Sequence, residues 1–136
     1  MKSNRILSAF VLFLVLFLVG CDTTTTTTKT GLDYTDFYSQ IVFDKYTQLN
    51  VSDEPYYLYY YGPECYHCNL IKSEVLGILS NLQVDQVYLV ETNTLSDVMD
   101  GISVQYTPSL VYVVDHQVVA IYENKTDVLA ELHKLS

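Results

Sequence analysis

Positive charge is scarce in this chain. Seven of 136 residues are lysine or arginine, against sixteen aspartates and glutamates, for a net charge of −9. Two of the seven, Lys2 and Arg5, stand at the extreme N-terminus; beyond them five lysines face all sixteen acids, a net of −11. Such a surface repels phosphate backbones and offers no basic patch to anionic lipid, so no nucleic-acid partner is expected. Cysteine is also scarce: Cys21, Cys65 and Cys68. A disulfide-stapled secreted domain would carry an even set at wide spacings. Long apolar runs are missing apart from Ile6–Val19, whose 14 residues fall short of the roughly 20 that a spanning helix needs. No internal repeat is present.

What stands at the N-terminus is a basic start and then this apolar run, the pattern of a signal peptide. Leu18-Val19-Gly20-Cys21 follows at once. It resembles the lipobox of bacterial lipoproteins, with Val19 bulkier than usual at its position. The resemblance implies diacylglycerol on the Cys21 sulfur, cleavage before Cys21 and retention at a membrane through the lipid chains. The alternative is an uncleaved signal anchor, lengthened through Asp22 and the threonines. Both readings put the rest of the chain outside the cytoplasm. Thr23–Thr28 and Lys29-Thr30-Gly31 contain no apolar residue to bury and read as a tether. The expected organisation is therefore a signal peptide at 1–20, a lipidated cysteine and tether at 21–31, and one domain at 32–136. The localisation this implies is the outer face of the cell membrane.

Within the domain, Asp33 is placed to cap a helix running to about Leu49, with Phe37, Ile41, Phe43 and Tyr46 on its apolar face. Tyr56–Tyr61 is a short aromatic run of high β preference, ended by Gly62-Pro63, and reads as a buried central strand. From Cys65 to about Leu82, Cys68, Ile71, Val75, Leu79 and Leu82 recur at intervals of three and four, which predicts a helix with one face turned inward. Val84–Val90 reads as a strand and Leu95–Met99 as a short helix. Ser109–Val114, a turn at Asp115-His116-Gln117 and Val118–Tyr122 form a hairpin. Thr126 is placed to cap a last helix through Leu135, with Val128, Leu129 and Leu132 inward. This order predicts the α/β class: a mixed central sheet with helices on both faces.

The chemistry is carried by Cys65-Tyr66-His67-Cys68, which follows a strand and opens a helix. A helix N-terminus presents unsatisfied N–H groups and about half a positive charge, which favours thiolate over thiol. Cys65 gains most and can attack; Cys68, one turn on and on the inward face, can resolve. Such placement lowers the thiol pKa from its free value of ~8.5. Two roles are open for His67. A partly protonated imidazole would stabilise the thiolate and make the disulfide more oxidising; otherwise His67 is a surface residue of the helix. A zinc site would need further ligands, and no second cysteine pair exists. A c-type haem would need histidine where Asn69 stands. A purely structural disulfide closing so short a loop would stabilise weakly. No metal or other cofactor is expected.

These residues, together with Thr107-Pro108 before the strand Ser109–Val114, resemble the thioredoxin-like superfamily over about Asp33–Leu135. The resemblance implies a thioredoxin-like fold, a cis peptide bond at Pro108, and a Thr107 backbone that pairs with a substrate peptide; Tyr66 is expected to meet substrate with them. Two positions depart from the family. Where many members carry a buried acid, six residues before the first cysteine, this chain has Tyr59, whose reference pKa of ~10 makes it a poor base near neutrality. Where an aromatic residue often precedes the first cysteine, this chain has Glu64, a carboxylate that opposes the thiolate.

The expected function is a membrane-anchored thiol-disulfide oxidoreductase, a monomer, acting on cysteines of exported proteins and recycled by a redox partner. The alternatives are a thioredoxin-like lipoprotein whose pair binds copper(I) or another soft metal, and a non-catalytic adaptor that keeps the fold.

Overall fold

The computed structural model describes residues 31–82, 86–92, 102 and 104–136 of the chain. The expected signal peptide, the lipobox with Cys21, the threonine tether, the start of the strand at Val84 and the short helix Leu95–Met99 lie outside the described residues.

The sheet has four strands: β1 (Tyr56–Tyr61), β2 (Val87–Glu91), β3 (Ser109–Val114) and β4 (Gln117–Glu123). Their spatial order is β2-β1-β3-β4. β1 runs parallel to β2 and antiparallel to β3, and β3 runs antiparallel to β4, so the sheet is mixed. The aromatic run forms β1 because a central strand buried on both faces favours bulky, β-preferring side chains at every position. All six of its residues are buried. Alternation sends Tyr57, Tyr59 and Tyr61 to one face and Tyr56, Leu58 and Tyr60 to the other.

The first face is covered by α1 (Tyr66–Asn81) and α2 (Lys125–Leu132). Ile71, Val75, Leu76 and Leu79 of α1 and Val128 and Leu132 of α2 meet the odd-numbered tyrosines there. At the surface His133 and Glu74 link the two helices at 2.7 Å. The opposite face is covered by Leu49 of a short 3-10 segment (Lys45–Asn50) and by Val42, Val51, Ile102 and Val104.

Three expected elements are corrected. The helix over 33–49 is instead two 3-10 segments, Tyr34–Gln40 and Lys45–Asn50, with extended backbone between them. Asp33 caps the first as expected, accepting the Thr35 N–H at 3.2 Å. The break has a tertiary cause. Ile41 bridges Leu89 in parallel, and the Val42 N–H donates to the Leu89 carbonyl at 2.8 Å. An edge strand leaves a row of unpaired backbone groups, and pairing β2 outcompetes a helix already weakened by aromatic and β-branched residues. The buried Gln40 side chain donates to the Val87 carbonyl and fastens the same junction.

The last helix is capped by Asn124, not Thr126, and ends at Leu132 rather than Leu135. Asn124 Oδ1 accepts the N–H groups of Thr126 and Asp127 at 3.0 and 3.1 Å. Its φ of +72° is one that asparagine tolerates better than threonine. The hairpin turn is shorter than expected: Asp115 and His116 turn the chain at φ of 50° and 61°, and Gln117 already belongs to β4. Two residues in the left-handed region match the twist of a tight hairpin.

Candidate active site

Cys65 stands between the end of β1 and the first turn of α1, as the N-cap residue of the helix. Gly62 makes the approach possible. A Cβ there would lie 3.0 Å from the Thr92 carbonyl oxygen and 3.4 Å from Cys65 Cβ, so a larger residue would crowd the Thr92 backbone. The turn is closed by the Cys65 N–H donating to the Gly62 carbonyl at 3.2 Å. Asn69, one turn into α1, donates from its side chain to the Pro63 carbonyl.

Cys65 and Cys68 are joined in a disulfide with their Cα atoms 5.2 Å apart. Their surroundings differ. Cys68 is fully buried in the cluster with Ile71, Val75 and Leu79, whereas Cys65 is half-buried at its edge. Cys65 Sγ accepts the Cys68 N–H at 3.1 Å and lies 3.3 Å from the Thr107 carbonyl oxygen. A sulfur that accepts a backbone N–H at a helix start is well placed to hold negative charge once the bond opens. The Thr107–Pro108 peptide bond is cis. The segment before β3 is thus brought against the cysteine at the start of α1, although more than forty residues separate them.

The remaining residues expected at the site lie on its rim. Tyr66 is 71 % exposed. The His67 ring is exposed and meets the Tyr66 ring edge-on at 5.4 Å, with no hydrogen bond to either sulfur among the described residues. His67, Thr107 and Pro108 line a cavity of about 540 Å³ together with Tyr106, Glu123 and Lys125. A second cavity, of about 470 Å³, is lined by Gly62, Pro63, Glu64, Cys65, Thr92 and Thr107. Tyr106, Thr92 and the Glu123–Lys125 junction between β4 and α2 were not legible as site residues. Only the position of Tyr106 beside Thr107-Pro108 was a signal. The other two arrive through the sheet, Thr92 after β2 and Glu123 at the end of β4.

Tyr59 is fully buried in the same apolar cluster as Cys68. Burial pushes its phenol far above the ordinary value, and the neighbouring Tyr34 adds to the shift. It is therefore no proton acceptor near neutrality. Tyr34 is pushed up as well, chiefly by burial. Among the described residues no three or more His, Cys, Asp or Glu side chains gather as a metal site. None of the described helices is long and apolar enough to cross a membrane.

No protein-family model matches this chain, and no curated protein matches it by sequence. Solved structures do resemble it. A thioredoxin from Malassezia sympodialis is 17 % identical, with 71 % of this chain and 89 % of that one aligned at a TM-score of 0.53. The long form of thioredoxin f from spinach chloroplast is 16 % identical over 76 % of this chain and 94 % of its own, at 0.55. Thioredoxin f2 from Chlamydomonas reinhardtii is 20 % identical over 68 % and 90 %, at 0.51. At these identities the likeness is one of fold: the domain is thioredoxin-like, with a Cys-x-x-Cys pair at the start of its first α-helix.

Proposed function

We propose that this protein is a thiol-disulfide oxidoreductase, anchored through lipid on Cys21 to the outer face of the cell membrane, that acts on cysteines of exported proteins. The observation that carries the redox reading is the asymmetry of the pair: a half-buried Cys65 at a helix start beside the Thr107 carbonyl, and a fully buried Cys68 behind it. The lipobox after a short apolar run supports the anchor.

The exchange needs no further group. A substrate thiolate attacks Cys65 Sγ; the Cys65–Cys68 bond breaks and its electron pair passes to Cys68 Sγ. A second substrate thiolate then attacks the substrate sulfur of the mixed disulfide and releases Cys65 as thiolate. The substrate loses two electrons and the pair gains them. Run backwards, the same steps reduce a substrate disulfide, with Cys68 as the resolving thiol. A redox partner outside this chain resets the pair. Thr107 borders the attacked sulfur, and Thr107, Pro108 and Tyr66 receive the substrate; His67 lines the cavity that Thr107 and Pro108 share.

The test is trapping in cells. Cys68→Ser removes the resolving thiol and should accumulate mixed disulfides with exported proteins, released by reductant on a gel. Cys65→Ser should accumulate few. More adducts with Cys65→Ser would reverse the roles; none with either, and unchanged dithiol turnover, would refute the enzyme. Cys21→Ser should abolish fatty-acid labelling, and equal labelling would remove the anchor.

A further inference from the structure

We propose that Glu64 makes the site selective for substrates in which a lysine or arginine flanks the reacting cysteine. This rests on the redox reading above. Thr107 lines both cavities, the smaller of which also contains Cys65, so a peptide laid along its backbone would send neighbouring side chains towards each. The two differ in charge. The larger cavity holds Lys125 and Glu123 together, and Glu123 Oε1 accepts the Gln105 N–H at 3.1 Å. Pro108 and the 64 % exposed Tyr106 give it apolar surface. It is balanced in sign and suits an apolar side chain.

In the smaller cavity Glu64 is the one charged side chain among the described residues. Its carboxylate is exposed and makes no hydrogen bond or ion pair among the described residues. Several other acids of the domain are engaged, Asp33 with Lys72, Glu74 with His133 and Glu131 with Lys134, and of the described acids without such a partner Glu64 is the one that lines this cavity. Glu64 is adjacent in sequence to the attacked cysteine, where a carboxylate disfavours the thiolate that exchange requires. A cationic substrate side chain in this cavity would offset that charge, whereas an acidic one would add to it. The domain's net charge of −11 beyond the N-terminus draws cationic segments in the same sense. Exposed pairs are individually weak and screened by salt, so the preference is modest and salt-sensitive.

The test uses the full chain in detergent with its pair oxidised, and reduced two-cysteine peptides that differ only in the residues flanking the reacting cysteine: lysine, glutamine or glutamate. Single-turnover oxidation should be fastest for lysine and slowest for glutamate, about fivefold apart at low salt and converging at ~1 M salt. Glu64→Gln should shrink the ratio and Glu64→Lys should invert it. Comparing peptides on one variant cancels any change in Cys65 reactivity itself. Equal rates in the wild type, or an unchanged order in Glu64→Lys, would overturn the proposal. Oxidation of a neutral small dithiol separates the two levels. If that succeeds while the peptides are not distinguished, the selectivity fails and the redox reading stands; if it fails too, both fall.

Discussion

Tyr59 and Tyr60 are neighbours in one strand, both with no exposed surface, yet they meet opposite conditions. Tyr60 faces the side of the sheet away from the α-helices. Its hydroxyl donates to Gln48 Oε1, and the Tyr56 hydroxyl donates to the Gln48 carbonyl at 2.6 Å. One buried glutamine thus satisfies two phenols. Tyr59 faces α1 and the redox pair. Its hydroxyl and that of Tyr34 are buried electrostatic neighbours, but neither completes a hydrogen bond among the described residues. On the face that supports the chemistry Tyr57 and Tyr61 donate to Glu131 and Glu91, but the Tyr59 and Tyr34 hydroxyls stay unpaired among the described residues, while Tyr56 and Tyr60 on the opposite face are both hydrogen-bonded. An unpaired buried hydroxyl costs stability, so the site side of the sheet is the less optimised one.

The largest effect expected from this contrast is at Gln48. Gln48→Ala should destabilise the fold by about 2–3 kcal/mol in urea unfolding, since it opens a void and leaves the Tyr60 hydroxyl unpaired. Exchange by the remaining native protein should be unaffected. A cost below ~0.5 kcal/mol would show that the far face is not held by this residue.

A matched pair of substitutions tests the two faces directly. Tyr60→Phe strands Gln48 Oε1 and should cost about 1–2 kcal/mol. Tyr59→Phe removes an unpaired hydroxyl and should be neutral, or stabilising by up to ~1 kcal/mol. Equal losses would abolish the distinction. Tyr59→Phe should also leave the pH profile of dithiol exchange in place, because burial already holds that phenol protonated. A shifted profile would return Tyr59 to the proton route.

The smallest effect concerns the Asp33–Lys72 pair beside Tyr34, where Lys72 Nζ lies 4.9 Å from the ring centre. The Lys72 hydrogen bond, with help from the Thr35 N–H, lowers the Asp33 carboxyl from 3.8 to about 2. A depressed folded-state pKa contributes stability that is present above the unfolded value and lost as pH falls through the folded one. The contribution should therefore vanish between pH 3.8 and about 2. Because both groups are partly exposed, it should stay below about 1 kcal/mol. Asp33→Asn should flatten the acid limb of the stability curve by that amount; an unaltered limb would leave the pair without energetic weight.

Much of this architecture is legible in the sequence. The aromatic run of β1, the three-and-four spacing after Cys65 and the hairpin around Asp115 each report contacts among residues a few positions apart. The cysteines were legible for the same reason: strand end, tight turn and helix start are consecutive. The helix over 33–49 misled because capping and apolar spacing carry no information about the unpaired edge of β2. The Asn124 cap was missed because its left-handed backbone depends on how β4 hands the chain to α2. Glu64 was visible as a departure, but nothing local placed it in a cavity without a counter-charge among the described residues.

The sequence alone therefore determined where the reactive pair sits, which of its sulfurs faces inward and which strands and helices frame it, since 2.0 and 3.6 residue periods and helix-end electrostatics act over a single turn or strand. Only the tertiary structure decided that Thr107 closes on Cys65, that Gln48 satisfies one face of β1 while Tyr59 is left unpaired on the other, and that Glu64 and Lys125 lie in separate hollows. Those outcomes depend on strand order and on pairing between segments tens of residues apart, and no local period encodes them.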